Sequence, residues 1–244
     1  MTRRIRLELE IVHSGPLLDE VLPALEAAVE TGDGGPLVEA ARRALPRLQG
    51  RKPPGPVHMP DVFAWKLAVG RLEALIATSP EPPATEAAYE EVAWALLRAA
   101  RAAEPVTVGE DWDLLRVLVD PARRKGRGIG ALSATLAGAA LVGSGPLVSR
   151  GGFALVREDS YATGWNDPER VARIARSLGR LDEKRLERLA RAVPPEVARG
   201  VWPSSPSPLV KRLPRALRAL EKVRAAYDSA AREQAGVFVE LRLV

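Results

Sequence analysis

The sequence predicts an α+β protein in which several helices pack on a small mixed β-sheet. Both ends of the chain, residues 4–12 and 236–244, alternate apolar with polar or charged residues. Between these ends, apolar residues recur at spacings of three and four over most of the chain. Alternation with a period of two is typical of a half-buried strand, and the longer spacing is typical of an amphipathic helix.

The sheet is expected to hold both terminal strands and one middle strand. In the first strand, Ile5, Leu7 and Leu9 share one face, and charged residues occupy the other face. Because an isolated pair of strands is only marginally stable, we expect a third strand. The segment from Phe153 to Val156 is the candidate.

Helices are predicted where the longer period is bounded by proline, glycine or capping residues. Their expected ranges are 17–30, 36–48, 61–77 and 85–103, followed by helices that begin at Pro168 and after Asp182 and by a long helix that includes Leu213 to Ala231. Asp167 before Pro168 is a typical N-cap, and Gly179 ends that helix. We expect one α+β domain, 1–244, or a subdivision into an N-terminal helical part, 1–105, and a C-terminal part, 106–244.

Composition excludes several chemistries. The 244 residues include no cysteine, which rules out disulfides, thiolate nucleophiles and cysteine-containing zinc sites. The start of the chain lacks the apolar core of a signal peptide. The longest weakly polar run, Ile129 to Gly143, is shorter than the roughly 20 residues that span a bilayer. A cytoplasmic protein that does not insert into a membrane is therefore expected.

A second compositional bias is the scarcity of amide side chains. The chain has one asparagine, two glutamines, and 30 arginines against 6 lysines. Few thermolabile side chains and many arginines are thermophile-like features. A GC-rich coding bias favours the same residues, so both interpretations remain open.

Residues that usually carry catalysis are scarce. The only histidines are His13 and His58, and no spacing of ligand residues resembles a metal site. Ser144 does not lie in a nucleophile elbow, and no cofactor motif is present. The sequence therefore leaves catalysis open but favours a protein that is not an enzyme and that binds no cofactor or metal. The alternative is an enzyme acting on a small polar substrate through the carboxylates Asp111, Asp113, Glu158 and Asp159.

Two basic features suggest an anionic partner. The glycine-containing segment 126–130 contains one basic residue and follows three others, and these four are a candidate anion site: Arg123, Arg124, Lys125 and Arg127. From residue 168 to residue 232 there are 16 basic and 7 acidic residues, a surplus of +9. Arginine stripes at helical spacing can neutralise nucleic-acid phosphates. A solvated loop and solvated helix faces explain the same patterns, and no aromatic residue interrupts the stripes to stack on bases.

Aromatic and charged residues form a third candidate site. Its members are Asp111, Trp112, Asp113, Arg157, Tyr161 and Trp165. Aromatics that converge with a few charges are typical of a binding pocket. The alternative is that the tryptophans anchor the core.

The C-terminal half, residues 109–244, resembles the YfbM-like family, a domain of unknown function. The elements that carry the resemblance are Trp112 leading a helix with Leu115, Leu118 and Val119, then Ala137-Gly138, Tyr161, Pro168 to Val171, Trp202-Pro203, Tyr227 with Ala230-Ala231, and the strand Val237 to Leu241. The resemblance implies an architecture rather than an activity. Glu110 stands where the family has lysine, and Asp113 and Arg116 stand where it has histidine.

These observations favour a non-catalytic cytoplasmic module that binds a protein or a small polar ligand, and the resemblance to the family implies a module of the regulatory or immunity type. A nucleic-acid-binding protein that uses the basic helices 168–232 is the first alternative, and the carboxylate enzyme is the second.

Overall fold

A computed structural model of the chain describes residues 4–13, 15, 17–50, 59–78, 82–102, 104–125, 132–133, 135–145, 147, 160–201, 205 and 207–243. The chain divides into two compact units. The first comprises Met1–Ile11, Pro105–Pro146 and Val156–Val244, and the second comprises Val12–Glu104 and Leu147–Leu155. The division near residue 105 is where the sequence suggested a subdivision, but the first strand belongs with the C-terminal part.

The strands in the described part of the chain are β1 (Ile5–Val12), β2 (Val106–Gly109), β3 (Ser160–Asn166) and β4 (Gly236–Leu243). They form a sheet in the order β2-β1-β4-β3, with antiparallel pairing. The predicted α+β fold, with both terminal strands and a middle strand in one sheet, is confirmed.

The sheet differs from the prediction in three respects. It is antiparallel rather than mixed, and it gains β2, whose four residues are too short to show a period. The middle strand is β3, whereas the candidate segment 153–156 lies outside the described residues.

The second unit is helical in its described residues. A short π-helix, Leu17–Val21, leads into α1 (Leu22–Thr31), followed by α2 (Gly35–Gly50), α3 (Met59–Thr78) and α4 (Pro82–Ala99). α3 packs against α4, and their buried side chains include Trp65, Leu72, Val92 and Leu96. Both helices begin two or three residues earlier than predicted, because proline fits a first helical turn, where its missing N–H needs no partner.

In the first unit, the other elements pack around one long helix. Its helices are α5 (Trp112–Val119), α6 (Pro121–Arg124), α7 (Leu136–Val142), α8 (Pro168–Gly179), α9 (Glu183–Arg191), α10 (Pro195–Arg199) and α11 (Leu209–Arg232). α11 contacts α5, α7, α8, α9, β2 and β4. The apolar stripe predicted for it, which includes Leu213, Leu220 and Val223, is buried.

The charged face of the terminal strands is buried, although alternation predicted a solvated face. Glu10 is 2% exposed and Glu240 is fully buried. Glu8 accepts a bond from Arg242 at 3.1 Å and pairs with Arg6 at 2.9 Å. Buried carboxylates require such partners, so the sheet supplies basic side chains next to the acidic ones.

A buried polar network joins β3 to α7 and α11. The Asn166 side-chain amide donates to the Ala139 carbonyl at 2.9 Å and to the Tyr227 hydroxyl at 2.8 Å. Tyr227 in turn donates to the Ala140 carbonyl at 3.2 Å, and Ser144 donates to the Asn166 side-chain oxygen. Because these groups satisfy one another away from water, the single asparagine fixes the register of three elements.

The pKa of Tyr227 is raised, chiefly by burial and despite the hydrogen bond from Asn166, so the folded state favours the neutral phenol. Since the unfolded phenol ionises near pH 10, the stabilisation is complete below that pH and is lost as the pH rises towards the folded pKa. We expect the free energy of unfolding to fall by about 1.4 kcal/mol more per pH unit above pH 10 in the wild type than in Tyr227→Phe. Urea unfolding at pH 9 to 11 measures both slopes, and equal slopes would contradict the assignment.

The end of α7 approaches β3 too closely for side chains. A Cβ on Gly164 would lie 2.2 Å from the Val142 carbonyl oxygen, whereas a Cβ on Gly145 would meet nothing within 4 Å. We expect Gly164→Ala to lower the free energy of unfolding by about 1–3 kcal/mol, because the backbone must move. Gly145→Ala is the matched control, and its expected change is below about 0.5 kcal/mol in the same urea titration. Equal effects of the two substitutions would refute the close approach.

Candidate functional site

The first unit contains a pocket of about 330 Å³ bounded by α5, α6 and α7 on one side and by α8 and α9 on the other. Three arginines line it, Arg124, Arg180 and Arg185, together with the hydroxyl residues Thr135 and Ser177. None of the described residues that line it is a carboxylate. The pocket therefore combines positive charge with hydrogen-bond donors.

Arg124 is placed by a short capped helix. The Asp120 carboxylate accepts a bond from the Ala122 amide at 2.9 Å and so caps α6, whose last residue is Arg124. The side chain is half-buried, and its Nε is buried with no hydrogen-bond partner among the described residues. A buried donor of this kind is costly unless an acceptor reaches it.

Arg180 and Arg185 flank the turn between α8 and α9. α8 begins after the cap Asp167, which accepts from the Arg170 amide at 2.8 Å, and Arg180 follows its last residue. The next cap, Asp182, accepts from the Arg185 amide at 2.6 Å and places that arginine in the first turn of α9. Both predicted caps are confirmed. Both arginines are exposed, and within the described ranges neither has a carboxylate within 4.0 Å of its guanidinium.

Arg224 on α11 donates hydrogen bonds to the turn between α8 and α9. Its guanidinium donates to the Leu178 carbonyl at 3.0 and 2.9 Å and also to the Leu181 carbonyl. The last carbonyls of a helix have no partner within the helix, and a cation near them is favourable. The turn that carries Arg180 and Arg185 is thus anchored to the central helix of the unit.

Two buried ion pairs connect α5 with α6 and with the N-cap of α6. Asp113 and Arg123 form a bidentate pair with both distances 2.9 Å, and Arg123 also donates to the Gly200 carbonyl at 3.0 Å. Arg116 pairs with Asp120 at 3.3 Å, and both side chains are almost fully buried. Each buried carboxylate already has an arginine, so neither neutralises the arginines that line the pocket.

The pKa shifts of these two arginines have opposite signs and different causes. Burial lowers the pKa of Arg116, and Asp120 and Asp113 only partly offset it. The pKa of Arg123 is raised, first by its hydrogen bond with Asp113, which outweighs burial. For Arg123, the two short charge-assisted bonds to Asp113 compensate the cost of desolvation.

The structure places the predicted aromatic residues largely in the core. Trp112 is fully buried and donates through Nε1 to the Ile5 carbonyl at 3.2 Å. Trp165 is 9% exposed, and its ring lies where a Cβ on Gly236 would approach it within 2.1 Å. The sequence left open whether the tryptophans line a binding pocket or anchor the core. The burial of both tryptophans fits the core interpretation.

The two aspartates of that candidate site are already paired with arginines. Asp113 is buried against Arg123, and Asp111 pairs with Arg215 at 2.8 Å. Tyr161 is 48% exposed on β3, and Arg157 lies outside the described residues. Among the carboxylates considered for catalysis, Asp111 and Asp113 therefore face different arginines, and Glu158 and Asp159 are also outside the described residues.

The predicted anion site is divided in the structure. Arg124 lines the pocket, whereas Arg123 turns inward to Asp113. Lys125 is exposed at the end of α6, and Arg127 lies outside the described residues. In the sequence, Arg180 and Arg185 belong to the basic stripes of the predicted helices. No pattern in the sequence predicts that they share a site with Thr135 or Ser177.

No protein-family model, curated protein or solved structure matches this chain. The resemblance to the YfbM-like family accordingly stays a prediction. Within the described ranges, no helix is both long and apolar enough to span a membrane, and no cluster of three His, Asp or Glu side chains is arranged to hold a metal ion.

Proposed function

We propose that this protein is a non-catalytic cytoplasmic binding module whose ligand is a small anion held by Arg124, Arg180 and Arg185. The observation that supports the proposal most directly is a pocket lined by three arginines and no carboxylate among the described residues. Guanidinium groups bind phosphate and carboxylate oxygens in bidentate pairs, and the half-buried Arg124 is screened by salt less than the exposed Arg180 and Arg185. Because the pocket is small, a small polar ligand should be tested before a protein partner.

The proposal is tested with inorganic phosphate, titrated calorimetrically at low ionic strength. Arg124→Gln is expected to weaken phosphate binding about tenfold or more, because it removes a charge-assisted hydrogen bond worth about 1.5–3 kcal/mol. Arg173→Gln is the matched control: it removes the same charge from an exposed position on α8 that does not line the pocket. We expect the control to change the dissociation constant less than about twofold. Equal weakening by both substitutions, or no phosphate binding by the wild type, would refute the pocket as the site.

A second candidate function is nucleic-acid binding through α8 and α9. Arg173, Arg176 and Arg188 are exposed, and in the described part of the chain no carboxylate lies within 4.0 Å of their guanidinium groups. Solvated arginines of this kind can release counterions from a phosphate backbone. The helices carry no aromatic side chain for base stacking, so binding would be independent of sequence.

The salt dependence of duplex DNA binding distinguishes the two functions. If the basic helices bind DNA, the slope of log K against log salt should become shallower by about 1.8 in the double variant Arg173→Gln/Arg176→Gln. In that case Arg124→Gln should leave the slope almost unchanged. Absence of binding at about 50 mM salt would remove the nucleic-acid function and leave the pocket function untouched.

A further inference from the structure

Six of the described residues that line the pocket of the proposed function are apolar, and we call them its floor: Leu118, Val119, Pro121, Ala137, Leu181 and Leu189. Leu118 is fully buried, Leu181 is 5% exposed and Ala137 is 7% exposed. Val119 and Leu189 extend this apolar surface. We infer that the ligand is a phosphate monoester with a compact apolar organic group, an inference that rests on the proposed function. The phosphate contacts the arginines, and the apolar group covers the floor.

The charge of the site favours phosphate over carboxylate. Three guanidinium groups face a pocket in which none of the described lining residues is acidic, and the nearby carboxylates Asp113 and Asp120 are committed to Arg123 and Arg116. A phosphate monoester carries close to two negative charges at neutral pH and offers three terminal oxygens. A monocarboxylate offers one charge and two oxygens and would leave part of the guanidinium set without an acceptor.

The lining also restricts the organic group. A sugar needs acceptors and donors for its hydroxyls, but among the described lining residues there is neither a carboxylate nor an amide side chain. The Thr135 hydroxyl already accepts from the Gly138 amide at 3.1 Å, which leaves Ser177 as the main neutral polar group. The described lining includes no aromatic ring to stack on a nucleobase. A volume of about 330 Å³ is at the lower end for small-molecule pockets and suits a phosphate with a few carbon atoms.

Four small anions test the ligand class by calorimetry: inorganic phosphate, propyl phosphate, glycerol 3-phosphate and butyrate. Propyl phosphate is expected to bind at least about tenfold more tightly than inorganic phosphate, since it buries three carbon atoms. Glycerol 3-phosphate, which has the same carbon count but two hydroxyls, should gain less than about twofold, because its hydroxyls would lose water without finding partners. Butyrate should bind at least about tenfold more weakly than propyl phosphate.

A variant of the floor isolates the apolar contribution. Leu189→Gln should abolish the advantage of propyl phosphate over inorganic phosphate, and Leu189→Met should keep that advantage. If inorganic phosphate binds but glycerol 3-phosphate or butyrate matches propyl phosphate, the inferred ligand class is wrong and the proposed function stands. If no phosphate compound binds, both fail.

Vesicles of phosphatidic acid in phosphatidylcholine present a phosphate monoester at a membrane surface and distinguish this source from a free ligand. We expect no cosedimentation that depends on Arg124, because this side chain is half-buried in the pocket rather than exposed to a bilayer surface. Cosedimentation that Arg124→Gln abolishes and Arg173→Gln preserves would identify a lipid surface and overturn the inference of a free ligand.

Discussion

Replacing Asp113 with alanine is expected to lower the free energy of unfolding by about 3–5 kcal/mol. Asp113 is fully buried, and its two oxygens accept both bonds of the bidentate pair with Arg123, which is itself only 7% exposed. Removal of the carboxylate takes away the hydrogen-bonded counter-charge of this buried guanidinium, which also donates to the Gly200 carbonyl. The loss of a counter-charge in a water-excluded place costs far more than the loss of a surface pair, because water cannot replace the missing partner.

Urea denaturation of three variants tests this expectation. Glu187→Ala breaks the exposed Arg191–Glu187 pair, 2.5 Å long, and is the matched control with an expected cost of at most about 0.5 kcal/mol. The double variant Asp113→Ala/Arg123→Met removes both buried charges and should recover at least half of the loss, since replacing a whole buried pair by apolar groups is often neutral. A cost for Asp113→Ala no greater than that of the control would show that the pair is not buried in solution.

Trp112→Ala should have an effect of similar size, about 3–5 kcal/mol. The indole is fully buried in the first unit, and its Nε1 donates to the Ile5 carbonyl at 3.2 Å, which ties α5 to β1. Truncation leaves a cavity and also an unsatisfied carbonyl, and both terms are unfavourable. Trp112→Phe keeps most of the apolar volume and should cost roughly half as much.

The same variants decide between the two interpretations of this tryptophan. Tyr161→Ala, at a side chain that is 48% exposed, is the control and should change stability by less than about 0.5 kcal/mol. If Trp112→Ala kept the stability of the wild type but lost affinity for phosphate or a partner, Trp112 would be a binding residue, and its assignment to the core would have to be abandoned.

The sequence was informative where a local rule decides the structure. The alternation in residues 4–12 and 236–244 predicted β1 and β4, and the capping residues Asp167 and Asp182 predicted the starts of α8 and α9. These features depend on neighbours within a few positions, so they can be read from one chain. β2 has only four residues and depends on its pairing with β1, about 100 positions away, so no local period announced it.

The candidate site was largely hidden for the same reason. Arg124, Arg180 and Arg185 come from α6, from the end of α8 and from the start of α9, and only the tertiary fold brings them to one pocket. The sequence assigned Arg123 and Arg124 to the same anion site, but a helical turn directs neighbours differently, and Arg123 pairs with Asp113. Likewise, the prominence of Trp112 among acidic residues reflects its role as a buried anchor for β1.

The strand order has a consequence for the biosynthesis of the protein. β1 and β4 are neighbours in the middle of the sheet, and the contact between Glu8 and Arg242 joins positions 234 residues apart. During translation β1 can pair with β2 early, but it can pair with β4 only after residue 236 and those that follow it have emerged from the ribosome. Pairing across such a separation slows folding and leaves strand edges open in the meantime. A nascent chain halted before residue 236 should therefore engage chaperones far more than the released protein does.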